Sequence, residues 1–183
     1  MMRSIDFVRS IFLLVVASAA GCGGAPEKAA GSAADTGTLI GNRAPDFQVK
    51  TVTGSKATVS LKELRGQVVL LDFWGTFCEP CKKSFPKLGA LDRKYAASGL
   101  HIIGISEDDD DDKGKNPGFA DTYGAKFALA WDADKSVARH YNPETMPSSF
   151  LIDRDGIVRF AHVGFHDGEE VEIDQEIRGL LKP

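Results

Sequence analysis

Two cysteines, Cys78 and Cys81, stand three positions apart in the stretch WGTFCEPCKKSFP, residues 74–86. Before them runs VVLLDFW, residues 68–74, apolar but for Asp72. After them Phe85, Leu88, Leu91 and Tyr95 recur at three- and four-residue steps, the period of a helix with one covered face. Thiols at a strand-to-helix junction are well placed for redox chemistry. The thiolate is the reactive form, and a helix N-terminus favours it through unpaired backbone N–H groups and the helix dipole. Pro80 suits the first helical turn, where no N–H is needed, and stiffens the spacer. Cys81 lies one turn in, on the same side, so the pair can close a small disulfide ring. A purely structural clip is the bland alternative, but closing so short a loop removes little chain entropy. Zinc wants about four ligands, and no second Cys or His pair has suitable spacing. Covalent haem attachment wants His directly after the second cysteine, where Lys82 stands. Thiol–disulfide exchange is the chemistry these residues fit.

Asp72 is the second chemical feature. Burying a carboxylate among Val, Leu and Phe is costly unless the group is neutralised or bonded. A raised pKa would suit Asp72 to take the proton from Cys81 as that thiol attacks a mixed disulfide. The alternative is an Asp bonded to nearby backbone.

These residues need elements to hold them. Residues 44–52 alternate apolar and polar, and residues 57–60 can pair with them across Gly54, which predicts a lead-in hairpin. Ser60 to Glu63 has the spacing of a capping box and opens a short helical turn that Gly66 stops. Residues 68–74 read as a central strand covered on both faces, 79–98 as a helix ended by Gly99, and 100–105 as a second buried strand. Strand, helix and strand form a βαβ unit with a right-handed crossover. Beyond it come a weak helix at 119–123, a strand at 126–131 and a short helix at 136–141. Strands 149–152 and 157–160 then flank DRDG, residues 153–156, a strong hairpin signal. An amphipathic helix over about 169–181 closes the chain. A βαβ half, an antiparallel hairpin and a closing helix, with the Cys pair at the first strand-to-helix junction, is the order of the thioredoxin fold. The expectation is an α/β domain with an N-terminal β-hairpin extension and a central mixed sheet flanked by helices.

The chain has 183 residues, 43% hydrophobic and 26% charged, which suits one well-packed soluble domain. Its net charge of -4, with no Arg/Lys stripe interleaved with aromatics, disfavours a nucleic-acid partner. Arg3 and Arg9 lead into IFLLVVA, residues 11–17, and then SAAGC, residues 18–22. That is the layout of an export signal, with an apolar run too short to span a bilayer comfortably. Small residues directly before Cys22 resemble the lipobox of bacterial lipoproteins, in which Cys22 becomes the lipidated N-terminal residue. Ala19 stands where such signals most often have Leu, and residues 17–19 also fit the small-x-small site of ordinary signal cleavage. The lipid reading accounts for an otherwise unpaired cysteine in an exported protein. Gly, Ala, Ser and a few charges fill the stretch after Cys22, so it reads as a tether giving reach, or as a leader with no role. The division expected is a signal peptide at 1–21, a flexible tether at 22–40 and a thioredoxin-like domain at 41–183. The location expected is extracytoplasmic and membrane-anchored, on the periplasmic side in a Gram-negative source.

The chain resembles the TlpA/ResA-like family of exported, membrane-tethered thiol-disulfide oxidoreductases within the thioredoxin superfamily. The likeness covers roughly residues 41–183 and rests on GNRAPDF (41–47), DFWGTFCEPC (72–81), and Met146-Pro147 followed by SSFLIDRDG (148–156). It implies that Cys78 is the exposed nucleophile, Cys81 the resolving thiol, and Pro147 a cis-proline facing them. A cis Met146–Pro147 bond would turn the Met146 backbone outward to pair with an extended substrate segment, whereas a trans proline would simply start a strand. Trp74 is expected beside the active site, making up the substrate face with Met146, Glu79 and Pro80. Phe77 stands where many members have a second Trp. Several ResA-like reductases carry a Glu three residues after the second cysteine; this chain has Ser84, whose hydroxyl cannot act as a base. Thioredoxins proper have an Asp at the place of Asp72, beneath the pair, which makes Asp72 the expected general base.

The function implied is reduction of disulfides in envelope proteins, with a transmembrane thiol donor and the lipid-anchored membrane as further partners and no cofactor. One rival is a thiol peroxidase, suggested by the APDF opening at residues 44–47 that peroxiredoxins share, although Leu71 and Gly75 occupy the places of their Pro and Thr/Ser. Another is a non-enzymatic copper or haem handler using the two thiols as soft ligands. The acidic run EDDDDDK, residues 107–113, lacks the spaced ligands and Gly of a calcium loop and is expected to be solvated. His162 and His166, four apart near the end of a strand, are a poor match to a metal pair.

Overall fold

Strand β3, Val68–Trp74, is buried at every residue. The computed structural model describes residues 39–53 and 56–182; the expected signal peptide, Cys22 and the tether up to residue 38 lie outside the described residues. β3 runs parallel to β4, Leu100–Ser106, and antiparallel to β6, Ser148–Ile152. β4 pairs in parallel with β5, Ala128–Trp131, and β6 pairs antiparallel with β7, Val158–Val163. The lead-in hairpin is β1, Gln48–Thr51, with β2, Thr58–Ser60, and β1 joins the sheet along β5. The result is one seven-stranded mixed sheet in the order β2-β1-β5-β4-β3-β6-β7. Helices α1 (Glu79–Tyr95), α2 (Asn116–Tyr123), α3 (Ser136–Tyr141) and α4 (Glu169–Leu181) connect and flank it. This is the thioredoxin-like α/β fold with extra N-terminal strands that the element order predicts.

Successive residues of a strand point to opposite faces, so the apolar run of β3 serves two cores. Leu70 and Trp74 join Cys78, Cys81, Phe85 and Leu88 from the α1 side, with Ile173 and Ile177 from α4. Val69, Leu71 and Phe73 join Phe47, Tyr141 and Phe150 on the other side. The Trp74 ring lies 4.7 Å from that of Phe85 and 4.8 Å from that of Phe119. The Tyr141 hydroxyl donates to the Pro45 carbonyl at 2.8 Å, tying the chain before β1 to α3.

Three local expectations change. The capping box at Ser60 does not form: Leu61–Leu64 is a 3-10 turn without a side-chain cap. The backbone N–H of Leu61 instead donates to the Phe47 carbonyl, and Glu63 turns toward Lys56. The long helix stops at Tyr95, and Ala96–Ser98 tightens into a 3-10 turn before Gly99 adopts a φ of +99°. The folded region also reaches back past residue 41, because Leu39 is buried in the second core. Gly41 donates to the Val158 carbonyl, Val158 donates to the Asn42 carbonyl, and Arg43 bridges to Ile157.

Gly104 on β4 lies opposite Asp72 and makes room for the indole of Trp74. A Cβ at Gly104 would meet Leu129 Cδ2 at 2.6 Å and Trp74 Nε1 at 2.9 Å. Gly104→Ala is expected to lose about 1–3 kcal/mol through overpacking, read as a lower urea midpoint with an unchanged slope.

Candidate active site

Cys78 and Cys81 are joined by a disulfide with S–S 1.97 Å and Cα–Cα 5.3 Å. Cys78 is the N-cap of α1, in extended conformation, and its Sγ accepts from the Cys81 backbone N–H at 3.2 Å. A sulfur thus occupies the place usually taken by a Ser, Thr or Asp oxygen, at the positive end of the helix dipole. The Cys78 N–H donates to the Gly75 carbonyl at 3.0 Å, closing the turn between β3 and α1. Pro80 lies in the first turn of α1, as its missing N–H requires. Ser84 is buried, and its hydroxyl donates to the Cys81 carbonyl at 3.2 Å.

Cys78 is only 5% exposed and Cys81 is wholly buried. The nucleophile expected at the surface is therefore sheltered, because the junction sinks both sulfurs into the α1-side core. Cys78 does reach a groove of about 550 Å³ that it lines with Phe77, Glu79, Pro80, Glu144 and Met146. Phe77 is 66% exposed, an apolar ring offered to solvent beside the disulfide. The Met146–Pro147 bond is cis. Three of the four residues expected at a substrate face, Met146, Glu79 and Pro80, share this groove. Trp74, the fourth, is fully buried against Phe85 and Phe119 and offers a substrate no surface. Its place is beneath the loop, as support.

Asp72 is 2% exposed. Strand alternation puts it between Leu70 and Trp74 on the face that carries Cys81, and among the described residues no donor reaches its Oδ2. Burial first, and then the nearby negative charge of Glu169, push its carboxyl well above the usual carboxylate range. Such a group can hold and release a proton on the thiol side of the sheet.

The acidic run is not a uniformly solvated loop. Asp108 is buried, and its Oδ1 accepts from both the backbone N–H and the hydroxyl of Thr76, at 2.9 and 2.8 Å. Its Oδ2 accepts from Ser106 Oγ at 2.9 Å. One carboxylate therefore pins the loop two residues before Cys78. Glu107 is largely buried beside it, and burial raises its carboxyl from the ordinary 4.5 to about 7 against the opposing pull of Lys135. Reading the run as a block of charge missed Asp108; its one legible signal was its position at the C-terminal end of a buried strand. His162 and His166 each face Glu169, and His162 also meets Glu176. Among the described residues no group of three or more His, Cys, Asp or Glu is arranged for a metal ion.

The AhpC/TSA family model matches residues 40–161. The chain is 40% identical over 133 residues to the thiol-disulfide oxidoreductase ResA of Bacillus thuringiensis (strain Al Hakam), covering 73% of this chain and 75% of that one. It belongs to the AhpC/TSA family and to the ResA-like thiol-disulfide oxidoreductases. ResA of Geobacillus kaustophilus is 31% identical over 137 residues, 75% of this chain and 76% of its own. The crystal structure of a Chlorobium tepidum protein assigned as thiol:disulfide interchange protein DsbE superposes with a TM-score of 0.71 at 36% identity, covering 78% of this chain and 98% of that one. In this ResA-like chain the paired cysteines are a CxxC redox disulfide on a thioredoxin fold.

Glu107 binds its proton more tightly folded than unfolded. It therefore stabilises the protein fully below pH 4.5, and that contribution is lost as pH rises toward 7. Glu107→Gln is expected to match the parent in urea near pH 4 and to exceed it above pH 7 by about 1 kcal/mol, water at this partly open site holding the gain down.

Proposed function

We propose that this chain is an exported, membrane-tethered reductase of envelope-protein disulfides, working through Cys78 and Cys81. The observation that carries this reading is a CxxC disulfide at the N-terminus of α1, with Cys78 alone of the pair opening onto a groove shared with Met146, next to a cis proline. In the reduced state the helix terminus favours the Cys78 thiolate. That thiolate attacks a partner disulfide; one partner sulfur leaves as a thiolate, and a mixed disulfide to Cys78 remains. Cys81 then gives its proton to Asp72 and attacks Cys78 Sγ. The second partner sulfur departs, and the Cys78–Cys81 bond closes. The partner has gained two electrons and this chain has lost them, so a dithiol donor, transmembrane on this reading, must restore the pair. On this reading the cis Met146–Pro147 bond lets Pro147 orient the substrate strand, while Met146, Phe77, Glu79 and Pro80 form its bed.

Tethering rests on residues 1–22 alone: the charged start, the apolar run and the small residues before Cys22, which would carry the lipid. The proposed layout keeps the signal at 1–21 and a flexible tether after Cys22, with the domain starting by Leu39. Cys22→Ser is expected to move the protein from the membrane fraction to the soluble fraction; unchanged partitioning would remove the anchor from the proposal. Among the described residues no helix is long and apolar enough to cross a membrane.

A thiol peroxidase is favoured by one observation, the AhpC/TSA match over the APDF opening. Against it, Leu71 sits in the opposite core from the sulfurs, where no peroxide can meet it. The deciding measurements use the reduced protein. We expect fast transfer to a peptide disulfide, slow consumption of hydrogen peroxide, no retained copper or haem, and a midpoint potential near thioredoxin's, about −270 mV. A potential nearer −120 mV, the range of a strong oxidant, would reverse the direction of flow, and rapid peroxide turnover would replace the reading altogether. Cys81→Ser should accumulate the mixed disulfide that the parent resolves, while Cys78→Ser should form none. Asp72→Asn should slow the Cys81 step at pH 7 by about 10- to 100-fold and flatten its pH profile.

A further inference from the structure

Asp72 is only 2% exposed, so a proton it receives from Cys81 has little direct access to water and needs a way out before the next cycle. Register supplies a direction. Asp72 on β3 lies opposite Ser149 on β6, and Ser149 lies opposite His162 on β7. Directly opposed residues share a face of the sheet, so Asp72, Ser149 and His162 form a row across three strands on the side covered by α1 and α4. Above this row α4 lays down a stripe at four-residue spacing: Glu169, Ile173 and Ile177, all buried. A carboxylate at the head of an apolar stripe is out of pattern, and Glu169 is only 4% exposed.

The partners of Glu169 lead outward. Its Oε1 lies 3.5 Å from His162 Nδ1, and His162 Nε2 lies 2.8 Å from Glu176 Oε2. Its Oε2 accepts from the His166 backbone N–H at 3.1 Å and lies 3.5 Å from His166 Nδ1. The His166 side chain is 74% exposed. We infer that Glu169, His162, Glu176 and His166 form a proton relay between Asp72 and solvent, giving this chain an exit route built from α4 and β7. The inference rests on the reading of Asp72 as the base.

The steps balance. As Cys81 attacks, its proton passes to Asp72, the Cys78–Cys81 bond forms and the bond from Cys78 to the partner breaks. The proton then moves through Glu169 and one of the imidazoles to water, and the departing partner thiolate takes one up from solvent. Re-reduction by the donor dithiol runs the same route inward. The groups facing Asp72 are few: Glu169 from α4 is the charge it senses, Cys81 comes from α1, and Ser149 and Gly104 flank it on the neighbouring strands. His162 is faced by Glu169 and Glu176, and Glu176 also feels Glu172 on its own helix.

The test follows single turnovers of the reduced protein with a peptide disulfide, quenched and scored by mass for mixed disulfide and released thiol, from pH 5 to 9. Glu169→Gln removes the charge that Asp72 senses, so the midpoint of the Cys81 step should move down by about half a pH unit or more. Removing both exits without that charge, His162→Gln combined with His166→Gln should leave the midpoint in place and slow the step at pH 7 by about three- to tenfold. Formation of the mixed disulfide should stay at the parent rate in both, and Glu169→Asp should restore most of the parent profile. If both relay variants keep the parent's rate and midpoint while Asp72→Asn flattens the profile, the relay is wrong and the base stands. If Asp72→Asn leaves the profile unchanged, the base reading fails and takes the relay with it. Should Glu169→Gln not fold, the double variant His162→Gln, His166→Gln decides by rate alone, and a parent rate overturns the relay.

Discussion

A carboxylate held inside a strand with no solvent on either side is the constraint around which this molecule is arranged. β3 must be apolar to pair centrally and to serve two cores, yet it carries Asp72 at its middle. Leaving that group charged and unpaired would cost several kcal/mol (roughly 3–5 by analogy with broken buried pairs), so the surroundings favour its protonated form. The neighbours fit that demand. Gly104 opposite it makes room for the Trp74 indole, that indole packs against Phe85, and Glu169 disfavours a second negative charge nearby. The strand thus stores a proton donor and acceptor where the fold would otherwise want one more leucine.

The thiols depend on a different kind of support. A helix cap made by sulfur is held only as well as the turn before it, and that turn has few apolar anchors because Phe77 points outward. Asp108 supplies the anchoring from the end of β4 through two bonds to Thr76. Trp131 donates to the Asp108 carbonyl, and Lys135 reaches the same carbonyl and that of Glu107. The loop carrying Cys78 is thereby clamped to the C-terminal ends of β4 and β5, and these bonds add to the packing of the α1-side core in holding Cys78 at the groove.

Much of this was legible because burial writes a period into the sequence. The run of β3, apolar but for Asp72, the three- and four-residue steps of α1 and the DRDG turn each carry their own signal, and α3 and α4 fall where their residues predict. The misreadings share one cause: a polar residue's fate is set by a partner far along the chain. Asp108 looked solvated because Thr76 cannot be seen from it, and nothing in the sequence singles out Glu169 until β7 brings His162 alongside. Ser60 had the right spacing for a cap, but the Phe47 carbonyl took the turn's first donor. Trp74 was placed near the chemistry correctly and on the wrong side of the surface, since the motif gives proximity and only the packed rings give depth.

The first described residues have a consequence for how the domain is presented. Gly41, Asn42 and Arg43 are stitched to Ile157 and Val158, beside the turn that joins β6 to β7. That turn follows Ile152, which pairs with Val69 at the start of β3, whereas the disulfide follows its end. The seven residues of β3 span about 23 Å. The first described residues therefore lie at one pole of the domain and the sulfurs at the other, so the groove beside Cys78 opens at the end of the sheet away from the strand pair that binds Gly41, Asn42 and Arg43.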